Sequence, residues 1–211
     1  MAERGKFITF EGGEGTGKST QAKLLAAALE KKGWKTIVTR EPGGSPGAEE
    51  IRKLLVEGAP ERWTPMAETL LFLAARSDHV ARLIRPELAR GHWVVCDRFA
   101  DSTLAYQGKA RGLGVDALDE LQGIALEGFT PHLTLILDMP VEVGLKRAAE
   151  RGHHHEGRFE RFTKEFHERL RLAFREIAER EPERCALIDG TLAADEVAAS
   201  VWRIVQQRLS P

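Results

Sequence analysis

Several things are scarce in this sequence, and each scarcity excludes something. Only two cysteines occur in 211 residues, Cys96 and Cys185, far apart and each inside an apolar, strand-like segment. Buried free thiols are expected, which suits a reducing cytoplasm and not a disulfide framework. No apolar run approaches the roughly 20 residues that a bilayer span needs. Met1 to Lys6 leads straight into a strand-like run, so no signal peptide is expected. Net charge is also lacking: 31 Lys and Arg against 32 Asp and Glu leave -1. Nothing global therefore draws the chain to a nucleic-acid duplex or an anionic membrane. Repeats, low-complexity segments and domain linkers are absent, so one domain spanning residues 1–211 is expected. If such a chain handles phosphate, it must use local clusters of positive charge.

What is present is a regular alternation of short apolar runs and longer helical stretches. Strands are expected at Lys6–Phe10, Lys35–Thr39, Trp93–Asp97, Leu133–Asp138 and Cys185–Asp189. Helices are expected at Gly17–Lys32, Ala48–Glu57, Pro65–Arg90, Val115–Glu127, Val141–Arg151, Arg161–Arg180 and Ala194–Leu209. Continuous apolar runs such as Thr134-Leu135-Ile136-Leu137 suit strands covered on both faces. The pattern predicts a three-layer α/β fold with a five-stranded parallel sheet and right-handed crossovers.

Between the first strand and first helix lies Gly12-Gly13-Glu14-Gly15-Thr16-Gly17-Lys18-Ser19, which matches the phosphate-loop pattern G-x-x-x-x-G-K-[ST]. The glycines let backbone N–H groups converge on phosphate oxygens, and the helix beginning near Gly17 adds its positive dipole end. Lys18 is placed to reach the β- and γ-phosphates, and the Ser19 hydroxyl to ligate Mg²⁺; Thr20 follows in the first helical turn. A bare Gly-rich strand-to-helix turn would not require four constrained positions in this context. A nucleoside triphosphate with Mg²⁺ is the implied ligand.

A phosphate loop alone does not choose between GTPases, motors, switches and kinases. The Asn-Lys-x-Asp signature of guanine-binding GTPases is missing. Arginines instead stand beside turn residues: Arg40 after the second strand, Arg98 after Asp97 at the third, and Arg147, Arg151 and Arg158 around a glycine-flanked segment. Carboxyl ends of parallel strands converge on the ligand crevice, so Arg40, Asp97 and Arg98 should lie near the loop. That suits an acceptor that is itself an anion. A nucleotide phosphate is largely dianionic at neutral pH and needs no general base, only charge neutralisation and alignment.

Phe10-Glu11-Gly12 with the phosphate loop, Thr39-Arg40-Glu41-Pro42-Gly43-Gly44, Leu71-Phe72-Leu73-Ala74-Ala75-Arg76, Asp97-Arg98 and Ser102-Thr103-Leu104-Ala105-Tyr106-Gln107-Gly108 follow one another in order. Leu137-Asp138 and Gly144-Leu145-Lys146-Arg147 complete a set over almost the whole chain, which resembles the bacterial thymidylate kinases. The resemblance implies a P-loop kinase fold, transfer of the γ-phosphoryl group of ATP to dTMP in dTTP synthesis, and a homodimer. It implies that Phe72 stacks on thymine, with Arg76 and Thr103 on its polar edge and Ser102, Gln107 and Pro42 nearby. Tyr106 would lie under the deoxyribose and Glu14 would accept from its 3′-hydroxyl. Arg98, helped by Arg40, would hold the acceptor phosphate, and Asp97 would meet Mg²⁺ through water.

The segment from about 147 to 160 would be a mobile lid. Gly15 stands where some relatives carry a phosphate-loop arginine, so the lid should supply that charge: Arg151 foremost, Arg147 near adenine or phosphates, Arg158 in support. Ala149 departs from relatives with an arginine there. His153-His154-His155 lacks the spacing and further ligands of a metal site. Taken from the residues alone, Phe72 reads first as core, and Arg76 reads also as a solvated helix charge, Asp97 and Glu14 as strand-end and loop acids. Two rivals stay open: a kinase for dUMP, UMP or AMP, since one methyl is worth only about 1–3 kcal/mol, and a regulatory ATP-binding switch.

Overall fold

The computed structural model describes residues 5–150 and 158–211. Five strands form one parallel sheet in the order β2-β3-β1-β4-β5: β1 Phe7–Glu11, β2 Thr36–Arg40, β3 Trp93–Asp97, β4 Leu133–Asp138 and β5 Cys185–Asp189. Parallel neighbours need crossovers, and helices supply them on both faces. They are α1 Lys18–Lys31, α2 Pro46–Val56, α3 Pro65–His79, α4 Arg85–Ala89, α5 Ala100–Thr103, α6 Asp116–Leu126, α7 Val141–Glu150, α8 Lys164–Arg180 and α9 Ala194–Leu209.

Alternation within the strands feeds two apolar layers. Ile8 and Phe10 of β1, with Val95, Leu133 and Leu135, pack on Ala22, Leu25 and Leu29 of α1 and on Val197, Val201 and Val205 of α9. The opposite face is closed in two parts. Phe7, Val94 and Cys96 meet Val80 and Ile84, and Ile136 and Cys185 meet Phe166, Leu170, Phe174 and Ile177 of α8. Both cysteines are buried and free.

The departures from the sequence reading have local causes. The helix expected over 65–90 is wound as α3, a wide π segment at Val80–Ile84, and α4. Pro86 lacks an N–H, and the wider turn absorbs the missing bond. Thr163 caps α8 by accepting from the Phe166 N–H at 3.3 Å, so that helix begins at Lys164 and not at Arg161. A helical stretch missed entirely runs through α5 into a π segment, Leu104–Ala110. Its polar residues and Gly108 hide any apolar period. Gly33 ends α1 at φ 89°, as its position after the last periodic residue predicts.

Candidate active site

All five strands point their carboxyl ends to one edge, where β1 runs into the phosphate loop. The loop lies tight against α7 because both sides omit side chains. A Cβ on Gly15 would come within 1.9 Å of the Gly144 carbonyl oxygen, and a Cβ on Gly144 within 2.5 Å of the Glu14 carbonyl. Gly12, Gly15 and Gly17 take φ values of 131°, 69° and 93°, which only glycine tolerates freely. Lys18 folds over the loop and donates to the Gly13 carbonyl at 2.6 Å. Burial and the Arg98 charge lower its ammonium pKa to about 8, against the pull of Glu14, Asp97 and Glu11. The Ser19 hydroxyl donates to the Asp97 carboxylate.

Around the loop is a cavity of about 120 Å³ lined by Glu14, Gly15, Thr16, Gly17, Lys18, Ser19, Asp97 and Arg98. Beside it lies a second of about 150 Å³. The second is lined by Glu14, Pro42, Phe72, Arg98, Ser102, Thr103, Tyr106 and Gln107 from the sequence reading, and also by Glu41, Arg52, Val56, Phe159 and Glu160. Glu14 and Arg98 belong to both, so the two cavities share a wall.

That wall is a compact charged cluster. Arg98 donates through Nη2 to Glu14 Oε1 at 3.0 Å and through Nη1 to the Gly12 carbonyl at 2.9 Å. The Tyr106 hydroxyl donates to the same Glu14 oxygen at 2.5 Å, and the Arg98 guanidinium lies 5.1 Å from the Tyr106 ring centroid. Burial opposes ionisation of Glu14, but Arg98, Lys18 and the Tyr106 hydroxyl outweigh it and hold the carboxyl at about 2. Burial pushes the Tyr106 phenol well above its ordinary value. The far wall is aromatic: Phe159 packs 6.0 Å from Phe72 and 5.5 Å from Tyr106.

Arg40, Arg76 and Arg158, all expected at the site, line neither cavity. Arg40 is half exposed and pairs with Glu49 at 3.2 Å, outside both cavities. Its strand position turns it toward α2. Arg76 is only 1% exposed and lies behind the pocket wall. Its donors reach Glu41 at 2.6 Å, Thr103 at 2.9 Å, Gln122 at 3.1 Å and the Phe99 carbonyl at 3.0 Å. It backs Thr103 and Glu41, which do line the cavity. Arg158 is fully buried against Glu68 and donates to the backbone carbonyls of Ala59 and Leu55 at 2.8 and 3.2 Å. It anchors the end of the expected lid segment to the α2–α3 connection and lines neither cavity.

Arg147 donates to the Gly190 carbonyl at 3.0 Å, at the β5–α9 turn. Thr20 is exposed on α1 beyond the lining of the phosphate cavity. Arg151, with the three histidines, lies outside the described residues. Among the residues the sequence reading missed, Glu41 sits inside a motif already singled out. Arg52, which donates to the Pro42 carbonyl at 2.7 Å, carries no signal beyond its place on α2.

A Ser hydroxyl beside a carboxylate is an all-oxygen donor set of the kind Mg²⁺ prefers. No group of three metal-ligating side chains occurs among the described residues. Ser19 and Asp97 therefore offer two oxygen donors to a divalent cation.

A phosphate loop sharing one wall with an arginine-floored, aromatic-sided pocket defines a small-molecule kinase of the P-loop class. The comparisons with known proteins agree. A family model described as thymidylate kinase matches residues 10–201. A thymidylate kinase of Rhodopseudomonas palustris (strain TIE-1) is 57% identical over 208 residues, covering 98% of this chain and 90% of that protein. One from Caulobacter vibrioides is 56% identical over 206 residues, covering 98% of each. The crystal structure of thymidylate kinase from Ehrlichia chaffeensis superposes with a TM-score of 0.77 at 32% identity, covering 96% of this chain and 99% of that one. The chain belongs to the thymidylate kinase family.

Proposed function

We propose that this protein transfers the γ-phosphoryl group of ATP to dTMP, giving dTDP and ADP. The observation that carries the reading is the shared wall: Glu14 and Arg98 face both the phosphate cavity and the aromatic pocket. A donor phosphate held by the loop and an acceptor phosphate held from the pocket side would meet at Arg98.

The acceptor oxygen is already anionic, so the chain has no proton to remove. Its task is to align two polyanions and neutralise the charge between them. Backbone N–H groups of Gly13 to Lys18 cradle the donor phosphates, and Lys18 leaves the Gly13 carbonyl to reach them. Arg98 bridges donor and acceptor, with its guanidinium oriented by the Gly12 carbonyl and Glu14. Phe72 covers one face of the base, Thr103 and Gln107 meet its polar edge, and Tyr106 closes the sugar side. Mg²⁺ held by Ser19 and, through water, Asp97 would supply charge neutralisation at the β- and γ-phosphates. Arg151 is the lid residue assigned to the transition state, in the absence of any side chain at Gly15.

The protein acts as a cytoplasmic homodimer in this reading. Met66 and Leu70, one turn apart on α3, and Ile124 on α6 are exposed at 41%, 51% and 72%. They support an apolar face on these two packed helices. No described helix is long and apolar enough to cross a membrane.

The test is product analysis after incubation with ATP, Mg²⁺ and dTMP. Stoichiometric dTDP and ADP are expected. ADP formed at the same rate without dTMP would contradict the reading and favour an ATP-dependent switch.

A further inference from the structure

Arg98 carries the strain of the site. Its φ is 71°, a left-handed conformation that a bulky residue keeps only when its surroundings impose it. The imposing contacts are all present. The Arg98 N–H donates to the Phe10 carbonyl at 2.9 Å, and the Cys96 thiol donates to the Arg98 carbonyl at 3.0 Å. The remaining two come from one side chain. Glu11, the last residue of β1 and fully buried, accepts from the Phe99 N–H through Oε1 at 2.6 Å. It also accepts from the Ser102 hydroxyl through Oε2 at 2.6 Å. Ser102 in turn accepts from Arg98 Nη1 at 3.3 Å.

We infer that Glu11 is a positioning residue of the transfer reaction. By gripping the chain at Phe99 and at Ser102, it fixes the left-handed turn and aims the Arg98 guanidinium across the wall between the two cavities. It touches neither cavity itself. The link to the donor site is direct, because Glu11 precedes Gly12, whose carbonyl is the other anchor of Arg98. One residue thus sets the loop and the acceptor arginine in register.

The work is done by reach and hydrogen bonding, not by charge. Burial and the neighbouring Asp101 push the Glu11 carboxyl pKa up. A proton on Oε2 would simply reverse the bond to Ser102 and leave Oε1 free to accept from Phe99. Glutamine has the same length and can make both bonds. Aspartate keeps the acid but is shorter by one methylene, about 1.5 Å, and cannot span both partners.

The experiment compares Glu11→Gln and Glu11→Asp, each with thermal melting to verify folding. Steady-state rates are taken with the nucleoside monophosphate that the wild type turns over best. The inference rests on the kinase reading, but wild-type turnover tests that reading separately, and the ranking of variants tests this one. Glu11→Gln is expected within about 3-fold of wild type in acceptor kcat/KM, and Glu11→Asp lower by at least about 10-fold, with the KM for ATP changed less than about 2-fold. In an Arg98→Ala background, Glu11→Asp should cost less than about 3-fold more, because the residue it positions is gone. The opposite ranking, with aspartate active and glutamine impaired, would show a charge role and overturn the inference. An equal loss in both Arg98 backgrounds would overturn it too. Glutamine is isosteric, so a loss beyond about 10-fold in a folded Glu11→Gln is sufficient refutation.

Discussion

Replacing Gly15 by alanine is the sharpest structural perturbation available. The new Cβ would sit 1.9 Å from the Gly144 carbonyl oxygen, where carbon–oxygen contacts close no further than about 3.3 Å. Loop and α7 must therefore part by about 1.4 Å at a point where both are backbone, with no flexible side chain to yield. The backbone φ of 69° adds about 1–2 kcal/mol for a residue with a Cβ. Overpacking adds about 1–3 kcal/mol, for a sum of about 2–5 kcal/mol. For a chain of this size each kcal/mol moves the melting temperature by about 2–4 °C, so a fall of about 4–20 °C is expected. Gly13→Ala is the control, since a Cβ there meets nothing within 4 Å. Calorimetry of the unliganded proteins should show Gly13→Ala melting within about 2 °C of wild type. Equal melting of the two variants would refute the reasoning. The same collision leaves no room at position 15 for any larger side chain.

Other expectations follow from the same geometry. Phe72→Ala should lower acceptor kcat/KM by about 10- to 100-fold, the worth of base stacking, with the KM for ATP unchanged in steady-state kinetics. Glu68→Ala leaves Arg158 fully buried without its carboxylate, so chemical denaturation should show a loss of about 3–5 kcal/mol. Lys18 is charged only below its lowered pKa of about 8. A pH profile of kcat/KM for ATP, which reports the free enzyme, should therefore fall as pH rises through that value. Stability has the opposite sign. Between pH 8 and 10.5 the unfolded chain holds the Lys18 proton and the folded one does not, so the Lys18 contribution grows with pH in that window. Lys18→Met should remove that rise in denaturation midpoints.

The fold was readable because its signals are periodic. Apolar strand runs, a glycine after α1 and a phosphate loop between strand and helix are each local facts with one physical meaning. The site was readable in part, since eight residues of its acceptor pocket lie in contiguous motifs such as Ser102 to Gln107. What sequence could not tell was the direction of a side chain. Arg40, Arg76 and Arg158 are arginines near the right elements, yet each is claimed by a carboxylate: Glu49, Glu41 and Glu68. Pairing is decided by tertiary distance, which spacing does not encode. The π segment carrying Tyr106 and Gln107 was equally hidden, because its polar site residues erase the apolar period that would announce a helix.

The central claim is that the pocket beside the phosphate loop accepts thymidylate, and initial rates against a panel of acceptors test it most directly. With ATP and Mg²⁺ fixed, dTMP should give the highest kcat/KM, with dUMP lower by about the 10- to 200-fold that one methyl group can supply. UMP and AMP should be lower still. A panel in which dUMP, UMP or AMP equals or exceeds dTMP would contradict the account, leaving the kinase in place and removing its acceptor.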